Sequence, residues 1–165
     1  MSSTKTSLSK ETIAIIDHWL QKYPEGKKRS AVLAALTAAQ RQNNGWLSQE
    51  LMDSVANYLA LPNVWVYEVA TFYDMYDVKP VGKHKIRVCT NISCMLRGAD
   101  EIVATLKKKL GVDFNETTKN RQFVLKEAEC LAACTRAPMM MVDLDYYENL
   151  TPEKVGQIID ELQSK

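Results

Sequence analysis

The chain is short of several things. Of its 165 residues only four are cysteine, two histidine, six glycine and five proline. No apolar run approaches the roughly 18 to 20 residues that cross a bilayer as a helix, so no direct membrane insertion is expected. Charge of one sign is missing too: 21 basic side chains stand against 20 acidic ones, a net of +1. No global field exists to recruit nucleic acid or an anionic lipid surface, and nucleic acid is not an expected partner. The basic clusters Lys27-Lys28-Arg29 and Lys107-Lys108-Lys109 lack interleaved aromatics and read as solvated surface. There is no G-x-G-x-x-G loop, hence no dinucleotide cradle of the chain's own. There is no C-x-x-C either, which excludes a thioredoxin-type dithiol.

What is present is the composition of a soluble globular protein, 46% hydrophobic and 25% charged. The N-terminal apolar cluster Ile13 to Ile16 is closed by Asp17 and has no small-residue cleavage site. Glu11, with no arginine before Arg29, argues against a mitochondrial transit peptide. A cytoplasmic location is expected, and there cysteines serve metal or redox chemistry more often than structural disulfides.

Residues 1–8 read as a flexible N-terminus, 9–78 as a helical bundle and 79–165 as an α/β domain. Ser9 caps a first helix with Ile13, Ile16, Leu20 and Tyr23 on one face, stopped at Pro24-Glu25-Gly26. A second helix starts near Ser30, carries Val32, Leu33, Leu36 and Ala39, and ends at Asn43-Asn44-Gly45. Ser48 caps a third that runs to Pro62, and a fourth covers Val64 to Thr71. Their apolar stripes read as bundle core, with Trp46, Trp65, Tyr67 and Phe72 as alternative docking anchors.

From residue 73 the pattern shifts to short β-rich runs. Lys85 to Cys89 and Phe123 to Ala128 read as strands, Met139 to Asp143 as a third, and Tyr146 to Leu150 as a fourth. Ser93 to Leu110 reads as one helix ended by Gly111, and Thr151 with Pro152 opens the last helix. Tandem strands before a final helix are a layout that thioredoxin-like folds also show. The Ala137-Pro138 bond is expected to be trans, as most X-Pro bonds are.

The thiols fall in two pairs, Cys89-x4-Cys94 and Cys130-x3-Cys134, with a gap of 35 residues between them. If both serve one site, their loops must meet. A disulfide pairing, a structural zinc and a 2Fe-2S cluster are three readings that the spacing leaves open. The cluster fits best, because its two irons each need two thiolates and the x4 and x3 spacers suit an object larger than one ion. The assembled charge would be about −2, or about −3 once reduced. Cys94 in the first turn of its helix, Arg97 and Arg136 beside the loops, and the small Ala132 and Ala133 would favour such an anion. His18 on the first helix and His84 in a turn read as solvated, and no catalytic residue is expected.

Four blocks, "VYEVATFY" (66–73), "CTNISCMLRGAD" (89–100), "ECLAACTRAPMM" (129–140) and "YYENLTPEKV" (146–155), together resemble the E-subunit family of respiratory complex I, the thioredoxin-like 2Fe-2S ferredoxins of NADH:quinone oxidoreductases. The resemblance runs from about residue 10 to the C-terminus. It implies a helical region before a thioredoxin-like domain, with Cys89, Cys94, Cys130 and Cys134 as ligands of one 2Fe-2S cluster that exchanges electrons with FMN in a partner. It also implies a flavin- and NADH-binding subunit and a large multi-cluster iron-sulfur subunit as partners. The implied place is cytoplasmic, peripheral to the inner membrane through the complex. The same module in an NAD-linked formate dehydrogenase or hydrogenase, and a zinc-stabilised binding module, are the alternatives. The chain departs from the family where Ala132 replaces a usual Gly and Thr135-Arg136 an often-seen Gly-Asn. If the backbone needs positive φ at residue 132, alanine carries a penalty there.

Overall fold

The computed structural model of the chain describes residues 7–164. Of the expected flexible segment 1–8, residues 1–6 lie outside the described residues. Ser7 and Leu8 are tied down: the Gln42 side-chain amide donates to the Ser7 carbonyl at 2.9 Å, and Leu8 packs on the neighbouring core. The chain divides into two compact units at the Pro80–Val81 bond.

The first unit is helical: α1 (Lys10–Leu20), α2 (Val32–Gln42), α3 (Gln49–Leu59) and α4 (Asn63–Phe72). The serines expected as caps do that work. Ser9 accepts from the Thr12 N–H at 3.1 Å and Ser48 from the Leu51 N–H at 3.2 Å, contacts worth about 1 kcal/mol each. A single 3-10 turn, Lys28–Ala31, occupies the place where α2 was expected to begin. Ile16, Leu36, Leu47, Leu51, Val55, Leu59 and Val66 form a core with no exposed surface. Leu33 belongs to the expected stripe but not to this core; it is 41% exposed, beside the inward row of Val32, Leu36 and Ala39. Trp65 and Phe72 also face solvent, at 36% and 80%.

The second unit is a five-stranded sheet with helices. Its elements are β1 (His84–Cys89), α5 (Ile92–Met95), α6 (Ala99–Leu110), β2 (Glu116–Thr117), β3 (Phe123–Ala128), β4 (Met140–Val142), β5 (Asp145–Tyr147) and α7 (Pro152–Gln163). The sheet order is β2-β3-β1-β4-β5, with β1 and β3 parallel and the other neighbours antiparallel. Ile86 and Val88 of β1, Phe123 and Leu125 of β3, and Met140 and Val142 of β4 alternate onto one face. There they bury Ile102 and Leu106 of α6 and Val155, Ile158 and Ile159 of α7.

Several expectations are corrected. The single helix over 93–110 is two, because Gly98 adopts the left-handed conformation (φ 96) and breaks the hydrogen-bond ladder between α5 and α6. His84 is not in a turn; it opens β1, its Nδ1 2.8 Å from Asp143 Oδ2 and its ring 5.7 Å from that of Phe123. The two-residue β2 was unforeseen, too short to leave a periodic signal. The Ala137–Pro138 bond is cis, not trans.

Gly82 lies so close to the start of β3 that a Cβ there would stand 2.5 Å from the Phe123 carbonyl carbon. Gly156, on α7, has only the Lys109 Nζ within 4 Å of the same position, at 3.9 Å. Gly82→Ala is expected to lower the thermal midpoint, whereas Gly156→Ala should raise stability by up to about 1 kcal/mol through helix propensity. Urea denaturation of both variants beside the parent chain checks the contrast; equal effects would contradict it.

Candidate metal centre

β1 and β3 pair in parallel register from His84 opposite Phe123 to Cys89 opposite Ala128. Parallel neighbours end on the same edge of a sheet, so the loops that follow them emerge side by side. Cys89 is the last residue of β1, and Cys130 comes two residues after β3 ends. β4 runs antiparallel to β1 and starts with Met140 opposite Val88, which brings the segment carrying Cys134 to the same edge. One strand pairing thus closes the 35-residue gap between the two pairs.

Alternation along β1 sends Cys89 to the face opposite Ile86 and Val88. It is buried there with Cys94, Ala99, Ala128, Leu131, Ala137 and Met139 in a small apolar cluster. The Cys89 N–H donates to the Met139 carbonyl at 3.2 Å, and its Sγ lies 3.8 Å from the Glu129 carbonyl oxygen. Burial pushes the Cys94 thiol up to about 11, with the hydrogen bond and charge of Cys89 adding to the effect and a Met139 backbone hydrogen bond opposing it. Cys134 contributes a smaller push of the same sign.

The second pair is exposed. Between its members Ala132 takes φ 58, the left-handed region, and directs its N–H at Cys130 Sγ across 3.4 Å. That conformation costs a non-glycine residue about 1–2 kcal/mol, so the concern raised by alanine at this place is real. Cys134 opens a 3-10 turn, Cys134–Arg136. The turn and the residues after it are tied by the connection that precedes α7: the Asn149 N–H donates to the Arg136 carbonyl at 2.8 Å, and the Leu150 N–H to that of Pro138 at 3.0 Å. No signal in the sequence distinguished these two ties.

Two electrostatic expectations change. α5 is a single turn whose first free N–H, that of Ile92, is already taken by the Asn91 side chain at 2.8 Å, so Cys94 does not sit at the head of a long helix dipole. Arg136 is ion-paired with Glu148 at 2.8 Å, and Arg97 is exposed in the link between α5 and α6. His18 is exposed on α1.

All four cysteines are free thiols. Among the described residues no three His, Cys, Asp or Glu side chains converge as donors for one ion. Four sulfurs in two pairs at one sheet edge, one already receiving a backbone N–H, are a donor set that suits a two-iron cluster better than a single-ion cage.

The sequence profile of the thioredoxin-like 2Fe-2S ferredoxins matches residues 16–163. The chain belongs to that family. Among its relatives, the E subunit of the NADH-quinone oxidoreductase of Rickettsia conorii is 48% identical over 98% of this chain and 96% of its own length. That of Rickettsia bellii is 49% identical over the same shares. The mitochondrial NADH dehydrogenase (ubiquinone) flavoprotein 2 of Dictyostelium discoideum is 40% identical over 98% of this chain and 65% of its own. In fold, the chain resembles part of an NAD+-reducing NiFe hydrogenase crystallised in its air-oxidised state, with a TM-score of 0.69 at 16% identity, covering 78% of this chain and 22% of that one.

In metal-free ferredoxin, Cys130 and Cys134 are expected to be alkylated by iodoacetamide before Cys89 and Cys94, because the first two are exposed and the raised Cys94 thiol holds little thiolate near neutral pH. Peptide mass mapping over a time course reads the order, and uniform labelling would contradict it. Ala132→Gly should stabilise the metal-free chain by about 1 kcal/mol, since glycine meets no penalty at positive φ. A lowered urea midpoint would show that the left-handed turn is not strained.

Proposed function

We propose that Cys89, Cys94, Cys130 and Cys134 hold one 2Fe-2S cluster, each pair on one iron, and that the chain is the electron-transfer subunit of an NADH:quinone oxidoreductase. The observation that carries this reading is the arrival of both thiol pairs at one sheet edge, in a chain 48% identical across nearly its full length to the E subunit of such an enzyme. The cluster, when bound, supplies one-electron carriage between ferric and ferrous iron. The chain's own residues position and shield it. Cys89 and Cys94 would hold it from within the apolar cluster that includes Ala128, Leu131 and Met139. Cys130 and Cys134 stand at the surface, the side from which an electron partner would approach. The Ala132 N–H satisfies sulfur charge on that side.

In this reading residues 79–165 form the cluster domain and 9–78 a helical extension, and no residue is catalytic. FMN and NADH belong to a flavin- and NADH-binding neighbour, and a large multi-cluster iron-sulfur subunit is the second partner. None of the described helices is long and apolar enough to cross a membrane. The proposed place is cytoplasmic, peripheral to the inner membrane through the complex. Relatives near half identity carry quinone-linked names, which favours this assembly over a formate dehydrogenase or hydrogenase.

Cys130→Ala is expected to abolish the visible absorption, the iron and the acid-labile sulfide while preserving the far-UV helical signal. Anaerobic purification followed by iron, zinc and sulfide analysis makes the measurement. A variant that keeps the full spectrum, or a parent chain holding one zinc and no sulfide, would refute the assignment.

A further inference from the structure

Arg136 lies two residues beyond Cys134, in the turn that carries this cysteine. On charge alone, a guanidinium there favours the reduced, more negative cluster. The structure hands it a counter-charge. Glu148 Oε2 stands 2.8 Å from Arg136 Nη1, and the Glu148 side chain is only 22% exposed while that of Arg136 is 64% exposed. The carboxylate is itself placed by its backbone: Lys154 Nζ donates to the Glu148 carbonyl at 2.6 Å, and the next residue, Asn149, donates its N–H to the Arg136 carbonyl at 2.8 Å. Two consecutive residues of the connection between β5 and α7 therefore grip one residue of the cysteine turn, one by charge and one by backbone.

We propose that Glu148 is a positioning residue for the 2Fe-2S site: it fixes Arg136 and offsets its charge, so that the ion pair sets the reduction potential of the cluster. The proposal rests on the ligand assignment made above. Its physics is a pair of opposite charges near a third. Removing the carboxylate leaves Arg136 uncompensated and stabilises the state that has gained an electron. Removing the guanidinium leaves Glu148 uncompensated and does the reverse. Removing both restores the balance. At fixed ambient potential each single change moves the reduced-to-oxidised ratio on the order of a few-fold, the scale of one partly screened charge at surface distances. The electron comes from dithionite and takes the cluster from about −2 to about −3 without any bond being broken.

The test uses the full chain with its cluster assembled, in five forms: parent, Glu148→Gln, Arg136→Gln, the double variant, and Glu153→Gln, an exposed carboxylate in the first turn of α7. Redox titration followed by electron paramagnetic resonance reads the midpoint of each. The expected result is a positive shift for Glu148→Gln, a negative shift for Arg136→Gln, a double variant close to the parent, and little change for Glu153→Gln. Both singles moving in the same direction, neither moving, or Glu153→Gln moving as far as Glu148→Gln would overturn the proposal. If Glu148→Gln fails to retain a cluster, Arg136→Gln and the double variant still decide, since the double must lie positive of Arg136→Gln. Parent protein that carries iron and sulfide but shows no such pattern refutes only the tether. Parent protein without them refutes the ligand assignment beneath it.

Discussion

The site depends on one interaction, the parallel pairing of β1 with β3. Six backbone partners in register, from His84 with Phe123 to Cys89 with Ala128, bring the C-terminal ends of two strands distant in sequence to one edge. Parallel strands require a crossover, and α6 with β2 provides it. The crossover is fastened by the apolar contact of Ile102 and Leu106 with Ile86, Val88, Phe123 and Leu125. Slipping that register by a single residue would turn Cys89 into the α6–α7 core and leave the site without one of its two buried thiols.

Around this edge the site is asymmetric. Its first pair sits in an apolar nest that disfavours charge, as the raised Cys94 thiol records. Its second pair stands in a surface turn with a left-handed alanine and a backbone N–H on sulfur. Burial disfavours the Cys94 thiolate in the metal-free chain, so under the proposed ligation a metal would have to compensate it, linking cluster binding to proton release. The second pair is open to solvent and to whatever docks there, and its turn is held both by its own backbone hydrogen bonds and by those from Asn149 and Leu150.

Much of the local structure was legible. Ser9, Ser48 and Thr151 mark helix starts through side chains that accept the N–H three positions on, a signal contained within one helical turn. The run Phe123 to Ala128 reads as a strand from its own composition and is one. Where reading failed, the deciding cause was not periodic. Gly98 broke a helix by its φ, Leu33 lay one position off the buried row, and β2 exists because β3 offers it partners. The neutralised charge of Arg136 could not be read either, since Glu148 lies twelve residues away across a hairpin.

The sequence by itself determined the number of thiols, their pairing by spacing, the caps and most helical faces, because each is set by residues within a turn or two of one another. Tertiary structure decided that the two pairs share an edge, that one is buried and the other exposed, and that Ala132 takes a left-handed conformation. Those outcomes rest on contacts between segments dozens of residues apart, whose free energy depends on the packed sheet and belongs to no local stretch of chain.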